Sequence, residues 1–237
     1  MNNVDKTAIR NAATVIVLRD RLSNPRILMG QRGAQAAFMP NKFVFPGGAV
    51  DVSDADVPLA NPVPAPCDIR LKEDLNPEAP PVTPNALAAA AIRELFEETG
   101  QVLGTKGQWP LAPAGSWQSF AKLGLQPDPS QLQYVFRALT PPGRPRRFDA
   151  RFFLVDADDL SSDPDDFSSA EDELSHLQWV PLTKARGFDM PFITEVVLAE
   201  IEARVSDRAA PTSVPYFKNT DEANLFLRLY GTPQTGD

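Results

Sequence analysis

The chain has 237 residues, a formal net charge of −8 and 43% hydrophobic residues, enough apolar material for one large domain or two small ones. The acidic balance argues against binding to duplex nucleic acid, which needs a basic footprint, and no apolar run approaches the roughly 20 residues of a membrane span. The single histidine, His176, excludes a histidine-rich zinc site.

His176 lies in ELSHLQWV, a strand-like stretch in which a half-exposed strand residue is the simpler interpretation than a catalytic triad member. If the protein is an enzyme, its carboxylates and arginines must therefore do the chemistry. The segment MNNVDKTAIR lacks the apolar stretch of a secretory signal, and Cys67 is the single cysteine. We expect a cytoplasmic protein with no membrane partner.

The first third of the chain predicts strands followed by an irregular segment. ATVIVLRD (13–20) is rich in β-branched residues and predicts a buried strand, with RILMGQR (26–32) as its partner. KFVFPGGAVD (42–51) predicts two short strands around a Pro-Gly-Gly turn. Eight prolines fall within residues 52–84, which predicts an irregular excursion with a short helix near CDIRLKEDL.

A helix over residues 84–99 has clear start and stop signals. Thr83 is suited to the N-cap and Pro84 to the first helical position. Alanines favour the body of the helix, and Gly100 is a plausible C-terminal stop.

The remainder of the chain alternates further helices and strands. We expect a short helix in 115–125, a strand pair at 132–140 and 146–157, a strand at HLQWVPL, and a long amphipathic helix at 190–205. The segment VPYFKNTDEANLFLRLYG is expected to pack on the body. With no internal repeat and no clear linker, the sequence predicts a single α/β domain over 1–237.

Three glutamates converge on one face of the predicted helix. Residues three and four apart share a face, so Glu94, Glu97 and Glu98 lie together and repel one another. Arg93 offsets part of this repulsion, and a divalent cation would offset more. Carboxylate oxygens select Mg²⁺ or Mn²⁺. Taken alone, the cluster leaves two interpretations open: a solvated helix face, which is the commoner, or a metal site.

The segments FVFPGGAVD and RELFEETG together resemble the Nudix box, whose second half reads Arg-Glu-apolar-any-Glu-Glu-any-Gly. Gly48 fits the first glycine of that signature, and 93–100 fit its second half. The first acid of the signature falls on Asp54, with Asp51 and Asp56 as alternatives. A long insertion, at about 52–84, stands where the signature has a short spacer, and Gln101 replaces an apolar residue.

The insertion, FMPNKFVFPGG and RFDARFF are similar to the coenzyme A diphosphatase branch of the Nudix family. The resemblance implies an α/β/α sandwich around a mixed sheet, here with extra C-terminal helices. It implies an Mg²⁺- or Mn²⁺-dependent hydrolase of the diphosphate linkage in a small nucleotide substrate, such as coenzyme A or acyl-CoA. ADP-ribose, NADH and dinucleoside polyphosphates also fit, as does a module that senses a nucleotide without cleaving it. Many relatives form homodimers.

The resemblance also implies roles for individual residues. It makes Glu94, Glu98 and Arg93 catalytic, with Arg93 orienting Glu97, and it assigns the metal to Glu94, Glu97, Glu98 and the carbonyl of Gly47. In this family a further base often comes from a late loop.

Further candidates come from the rest of the chain. For the late-loop base they are Glu171 and Glu173. Those for the substrate phosphates are Arg32, Arg147 and Arg151, and Arg144, Arg146 and Arg147 are candidates for an additional 3′-phosphate.

Overall fold

Strands and helices alternate through residues 8–36, 38–220 and 223–231, the part of the chain that the structure, a computed structural model, describes. The strands are β1 (Ile9–Arg19), β2 (Arg26–Arg32), β3 (Phe43–Val44), β4 (Gly47–Ala49), β5 (Gly104–Lys106), β6 (Leu125–Pro127), β7 (Gln133–Leu139), β8 (Arg147–Asp156), β9 (Leu174–Pro181), β10 (Val214–Asn219) and β11 (Asn224–Leu229). The helices are α1 (Ala65–Leu71), α2 (Pro84–Thr99), α3 (Trp117–Lys122) and α4 (Phe192–Arg204).

A mixed sheet is built around β1. Within the described ranges it has nine strands in the order β11-β10-β7-β8-β1-β2-β3, with β4 also paired to β1 and β9 to β2. β1 runs parallel to β8 from Ile9↔Arg147 to Leu18↔Asp156, and antiparallel to β2. The predicted pairing of β1 with β2 and of β7 with β8 is confirmed.

Alternate residues of β1 face two different helices. Ala13 and Val15 belong to the core cluster that contains Leu87 of α2, whereas Ile16 belongs to the cluster that contains Val197 of α4. Because successive side chains of a strand point to opposite faces, the β-branched run in β1 is buried on both sides. The α/β class, with helices on both faces of a mixed sheet, is confirmed.

Helix α2 begins and ends where the sequence predicts. The hydroxyl of Thr83 accepts a hydrogen bond from the backbone N–H of Ala86 at 3.1 Å. Gly100 takes a left-handed conformation with φ of 73°, and its N–H donates to the carbonyl of Phe96. Local capping chemistry therefore fixes the helix that carries the glutamates.

The proline-rich insertion packs on the sheet and contains the predicted short helix, as α1. Cys67 and Leu71 of α1 lie in the core beside α2. Arg137 of β7 donates to the carbonyls of Glu73 and Asp74 at 3.1 and 2.9 Å, and Asn11 of β1 donates to the carbonyl of Pro80. The insertion is thus held at several points along its length.

The C-terminal part differs from the expectation of extra helices. The amphipathic helix at 190–205 is confirmed as α4, but β10 and β11 follow it as an antiparallel hairpin. The expectation of further helices is wrong here because β10 pairs in parallel with β7 through Tyr216 and Phe217, and the first three residues of β10 are buried in the sheet. The small two-stranded sheet of β5 and β6, with α3 between its strands in sequence, was not predicted either.

None of the helices formed by the described residues has both the length and the apolar character needed to cross a membrane.

Candidate active site

The glycine turn and helix α2 meet at the site. Gly47 and Gly48 lie on β4, which pairs with Thr14 and Ala13 of β1. The N–H of Gly47 donates to Glu98 Oε2 at 2.7 Å. A Cβ atom at Gly48 would lie 2.5 Å from the Cδ atom of Glu94, so the Glu94 carboxylate packs directly against this backbone. Only glycine leaves room for this approach.

Arg93 is the centre of an acidic network. Its Nε and Nη2 atoms donate to the two carboxylate oxygens of Asp54 at 2.9 and 3.0 Å. Its Nη1 donates to Glu94 Oε1 and Glu97 Oε2, both at 2.8 Å, and Nη2 also reaches the carbonyl of Ala49. Burial alone would lower the pKa of Arg93. Asp54 and the two glutamates outweigh burial and raise the pKa above its usual value, so the guanidinium stays charged.

Of the three aspartates considered for the first acidic position of the box, the structure places Asp54 against Arg93. Asp54 is 1% exposed and also accepts from the backbone N–H of Asp51. Asp51 caps a short 3-10 turn at Val52–Asp54, and Asp56 is exposed. The insertion therefore leaves the box directly after the acid that holds its arginine.

The carboxyl groups of Glu94 and Glu98 are buried, and of the two only Glu94 is paired with a cation, Arg93. Burial raises the pKa of Glu98 well above its usual value, and the charge of Glu94 raises it further. Burial is also the main cause that raises the pKa of Glu94 to about 7, against the lowering effect of Arg93. Glu98 Oε1 is buried and has no hydrogen-bond partner. A buried acid in this condition requires a cation or a proton.

This donor set fits a hard divalent cation, although the side chains are not preassembled around one. Among the described residues, no three histidine, cysteine or acidic side chains are grouped as a metal cluster. Arg93 stands between Asp54, Glu94 and Glu97 and takes part of their charge. The unpartnered Glu98 Oε1 and the raised pKa of Glu94 are the observations in favour of a cation, because oxygen ligands suit Mg²⁺ and Mn²⁺.

Arg32 and Glu173 join the site from β2 and from the loop before β9. Arg32 Nη2 pairs with Glu173 Oε1 at 2.9 Å. The charge of Glu173 raises the pKa of both Glu94 and Glu98, and that of Arg32 lowers the pKa of Glu98, so both residues lie close to the buried acids. Glu171 instead contacts α2 through its backbone N–H, which donates to the carbonyl of Glu97. Of the two candidate bases, Glu173 is the one whose charge acts on Glu94 and Glu98.

The two arginines of RFDARFF occupy different environments. Arg151 is 1% exposed and donates to Asn11 and to the backbone of Asp149, which does not support a contact with substrate. Arg147 is half-buried and donates to the carbonyl of Thr140. Arg144 and Arg146, in the turn before β8, are exposed.

Two other features take no part in this site. His176 is exposed in β9, and its ring contacts the hydroxyl of its neighbour Ser175. A surface cavity of about 230 Å³ lies at the far end of β1, lined by residues 18–23 with Asp156, Asp158 and Arg208. Its arginines are paired with its aspartates, so its charges are already compensated.

Trp117 is the site residue that the sequence did not reveal. Its indole Nε1–H donates to Asp54 Oδ1 at 3.2 Å, across 63 positions of sequence. A buried indole N–H needs an acceptor, but nothing in the local sequence tells which one.

The fold and site define a class of protein: an α/β/α domain in which buried glutamates of one helix face a glycine turn. No protein-family model matches the chain. Several curated proteins resemble it, among them the following two. A Caenorhabditis elegans protein provisionally named nudix hydrolase 7 is 30% identical over 183 residues, which cover 72% of this chain and 51% of that protein. Acyl-coenzyme A diphosphatase NUDT19 of Gallus gallus is 30% identical over 178 residues, covering 54% of this chain and 47% of that protein.

A solved structure extends the likeness to the fold. The crystal structure of a NUDIX hydrolase from Alicyclobacillus acidocaldarius is 28% identical, with a TM-score of 0.58, and covers 84% of this chain and 96% of its own. This chain spans about half the length of the two curated relatives. These likenesses, together with the box geometry, show that the chain belongs to the Nudix hydrolase family.

Proposed function

We propose that this protein is a divalent-metal-dependent hydrolase that cleaves the diphosphate linkage of a nucleoside diphosphate derivative, with coenzyme A or an acyl-CoA as the first candidate substrate. One observation carries the proposal: the buried carboxyl groups of Glu94 and Glu98 lie against the Gly47–Gly48 backbone, and Glu98 Oε1 has no hydrogen-bond partner among the described residues. A solvated helix face would leave these side chains exposed. Here Glu98 is 2% exposed.

Glu94, Glu97, Glu98 and the carbonyl of Gly47 are the residues proposed to hold Mg²⁺ or Mn²⁺. Such an ion would neutralise the negative charge that develops on the diphosphate oxygens during cleavage. The Gly47 N–H fixes Glu98 Oε2 and leaves Oε1 for a ligand, while Arg93 fixes one oxygen each of Glu94 and Glu97. The chain thus sets the orientation of three carboxylates with a single guanidinium and one backbone amide.

Hydrolysis adds water across a P–O–P bridge, so one phosphorus–oxygen bond forms, the bridging bond breaks and a proton leaves the water. Glu94 and Glu173 are the proposed acceptors for that proton, because Glu94 is fixed at the glycine turn and the charge of Glu173, on the loop before β9, raises the pKa of Glu94. Arg32, paired with Glu173, is proposed to contact a substrate phosphate.

The choice of coenzyme A rests on the insertion, on RFDARFF and on the name of the Gallus gallus relative, an acyl-coenzyme A diphosphatase. Arg144 and Arg146 are exposed beside Arg147, and this basic group suits an additional 3′-phosphate. Products would then be a 3′,5′-ADP moiety and a phosphopantetheine moiety. A cytoplasmic location and a homodimer stay predictions.

The test is a substrate panel with Mg²⁺ or Mn²⁺, with products identified by mass spectrometry. It contains coenzyme A, an acyl-CoA, dephospho-CoA, ADP-ribose, NADH and a dinucleoside polyphosphate. Dephospho-CoA is the matched control because it lacks only the 3′-phosphate. Preference for coenzyme A supports the assignment. Turnover of dephospho-CoA or ADP-ribose about a hundredfold better would contradict it. Tight nucleotide binding without any turnover would indicate a sensing module.

A further inference from the structure

Asp54 is held on every side by hydrogen-bond donors. Its Oδ1 accepts from Arg93 Nε at 2.9 Å and from Trp117 Nε1 at 3.2 Å. Its Oδ2 accepts from Arg93 Nη2 at 3.0 Å and from the backbone N–H of Asp51 at 2.8 Å. Four donors fix both the position and the rotation of this buried carboxylate, and through it the plane of the Arg93 guanidinium.

The same guanidinium sets the two glutamates. Nη1 of Arg93 donates to Glu94 and to Glu97, while its other two nitrogens are bound by Asp54. The guanidinium of Arg93 is planar and rigid. A rotation of the Asp54 carboxylate therefore moves Nη1 of Arg93 and the two glutamates that it binds.

Trp117 is the one of these donors that comes from outside the box and the insertion. It is 1% exposed on α3, packed edge-on against Phe120 and tilted against Trp109. An aspartate is one methylene shorter than the glutamate that the Nudix signature has at this position. The short carboxylate therefore depends on its surroundings to reach Arg93: a capped 3-10 turn supplies one donor and the indole supplies another.

We propose that Trp117 is a positioning residue for the site: its indole N–H locks Asp54, which orients Arg93 and thereby Glu94 and Glu97. It touches neither substrate nor metal. The inference rests on the proposed function for its consequence in catalysis, but the positioning of Arg93 is independent of which reaction the site performs.

The test compares Trp117→Phe with Trp109→Phe. Both changes replace an indole by a smaller ring and remove one N–H hydrogen bond, since Trp109 Nε1 donates to the carbonyl of Leu125 at 2.8 Å. Of the two tryptophans, only Trp117 donates to Asp54. Four quantities are measured for each variant: kcat and KM, the Mn²⁺ dissociation constant by EPR, the hydrogen exchange of Arg93 Nε–H by NMR, and Tm.

Trp117→Phe should lower kcat and weaken Mn²⁺ binding by about five- to tenfold, and Arg93 Nε–H should exchange about tenfold faster, as expected for a lost hydrogen bond to a charged group. KM should change little, because no substrate contact is removed. Trp109→Phe changes a ring that packs against Trp117 but keeps the hydrogen bond from Trp117 to Asp54, so it should lower Tm by a comparable amount and leave the other quantities near their wild-type values. In an Asp54→Asn background, Trp117→Phe should add almost nothing.

Equal effects of the two tryptophan variants on Arg93 exchange and on Mn²⁺ affinity would overturn the inference and leave Trp117 a packing residue. An undiminished effect in the Asp54→Asn background would do the same. If the wild-type protein hydrolyses no substrate of the panel, the proposed function fails, but the exchange of Arg93 Nε–H still decides whether Trp117 positions it.

Discussion

Glu98 combines deep burial with a carboxylate that has a hydrogen-bond partner on one oxygen only. In the absence of a cation, burial and the charge of Glu94 both oppose its ionisation, as the raised pKa shows. A position that costs stability in this way is retained where function needs it. Substitution of Glu98 is therefore the most direct test of whether this face of α2 binds a metal or is only structural.

Glu98→Gln should remove catalysis and leave the fold intact. Glutamine keeps the size and one acceptor oxygen but loses the charge that a hard cation needs. Loss of a ligand that stabilises the transition state by several kcal/mol corresponds to a rate decrease of roughly a thousandfold or more. The measurements are the rate constant with Mg²⁺ present and the Tm of the metal-free protein. This Tm should stay the same or rise, because one of two neighbouring buried acids is removed.

The matched control for Glu98→Gln is Glu195→Gln, the same chemical change at an exposed position of α4. It should keep both activity and Tm. An active Glu98→Gln protein with unchanged Mg²⁺ dependence would contradict the metal assignment and return α2 to a structural role.

Gly48→Ala should inactivate the protein while changing its stability far less than its activity. The added Cβ would overlap the Glu94 carboxylate, which is a flexible side-chain end and is displaced more readily than backbone. Gly33→Ala is the control, because nothing lies within 4 Å of a Cβ there. Activity and Tm are compared for both variants. Near-normal activity of Gly48→Ala would show that the Glu94 carboxylate does not need its place against the turn.

Helical spacing predicted that Glu94, Glu97 and Glu98 lie together, because three- and four-residue intervals are a local property of the chain. The same spacing predicted that Arg93 offsets the charge of Glu97, four residues further on, and the two side chains pair. It did not predict that Glu98 accepts from the backbone of Gly47, since that contact depends on the strand packed opposite. The contact of Trp117 with Asp54 could not be predicted from the sequence either, because it joins parts of the chain that are far apart in sequence.

At the scale of elements, the insertion is attached to the sheet by a buried polar cluster rather than by apolar contacts alone. Arg137 binds both carboxylate oxygens of Asp149 and the carbonyls of Glu73 and Asp74. Its guanidinium also stacks on Tyr216, 4.2 Å from the ring centre. Cys67 of α1 lies next to this attachment, where its thiol accepts from the backbone N–H of Tyr134.

Cys67 should report whether the insertion is docked. Burial raises the pKa of its thiol, so the reactive thiolate is scarce until α1 separates from β7. Arg137→Met removes the bonds to Glu73 and Asp74 and breaks a buried ion pair, a change that typically costs about 3–5 kcal/mol. Labelling of Cys67 by a thiol reagent under native conditions should then accelerate about tenfold or more.

Arg21→Met is the matched control for Arg137→Met. Arg21 is also buried, pairs with Asp156 and donates to two backbone carbonyls, but its contacts lie away from the insertion. The two variants should lose similar global stability, measured by denaturant unfolding, while only Arg137→Met accelerates Cys67 labelling. Equal acceleration in both would mean that labelling follows global unfolding and that Arg137 does not anchor the insertion.

Elements with local signals were predicted, and elements defined by distant pairing were not. Helix α2 carries its own N-cap, proline and C-terminal glycine, so the sequence located both of its ends. The β10–β11 hairpin follows a helix and has no Gly-rich turn, and its strand character depends on β7 as a partner. Strand stability of that kind comes from the neighbouring strand and cannot be judged from one segment.

Across the whole molecule, one row of paired residues connects Arg137, which binds the insertion, to the glycine turn. Tyr216 pairs with Arg137, Arg137 with Arg151, Arg151 with Ala13, and Ala13 with Gly48. With strands about 4.8 Å apart, this row spans roughly 19 Å. The insertion and the site are therefore attached to the same sheet.

Metal addition should stabilise the whole protein, because the buried acids Glu94 and Glu98 belong to the same folded unit as the core. A ligand at about 100 times its dissociation constant stabilises the folded state by roughly 2.7 kcal/mol, which in a domain of this size raises Tm by about 5–10 °C. Saturating Mg²⁺ or Mn²⁺ should therefore raise Tm relative to EDTA in the wild type and in Glu195→Gln. The shift should be largely lost in Glu98→Gln, whose metal-free Tm is no lower. If Tm rises equally in all three proteins, the ions bind elsewhere on the acidic surface. Glu98 is then a buried acid that binds no cation.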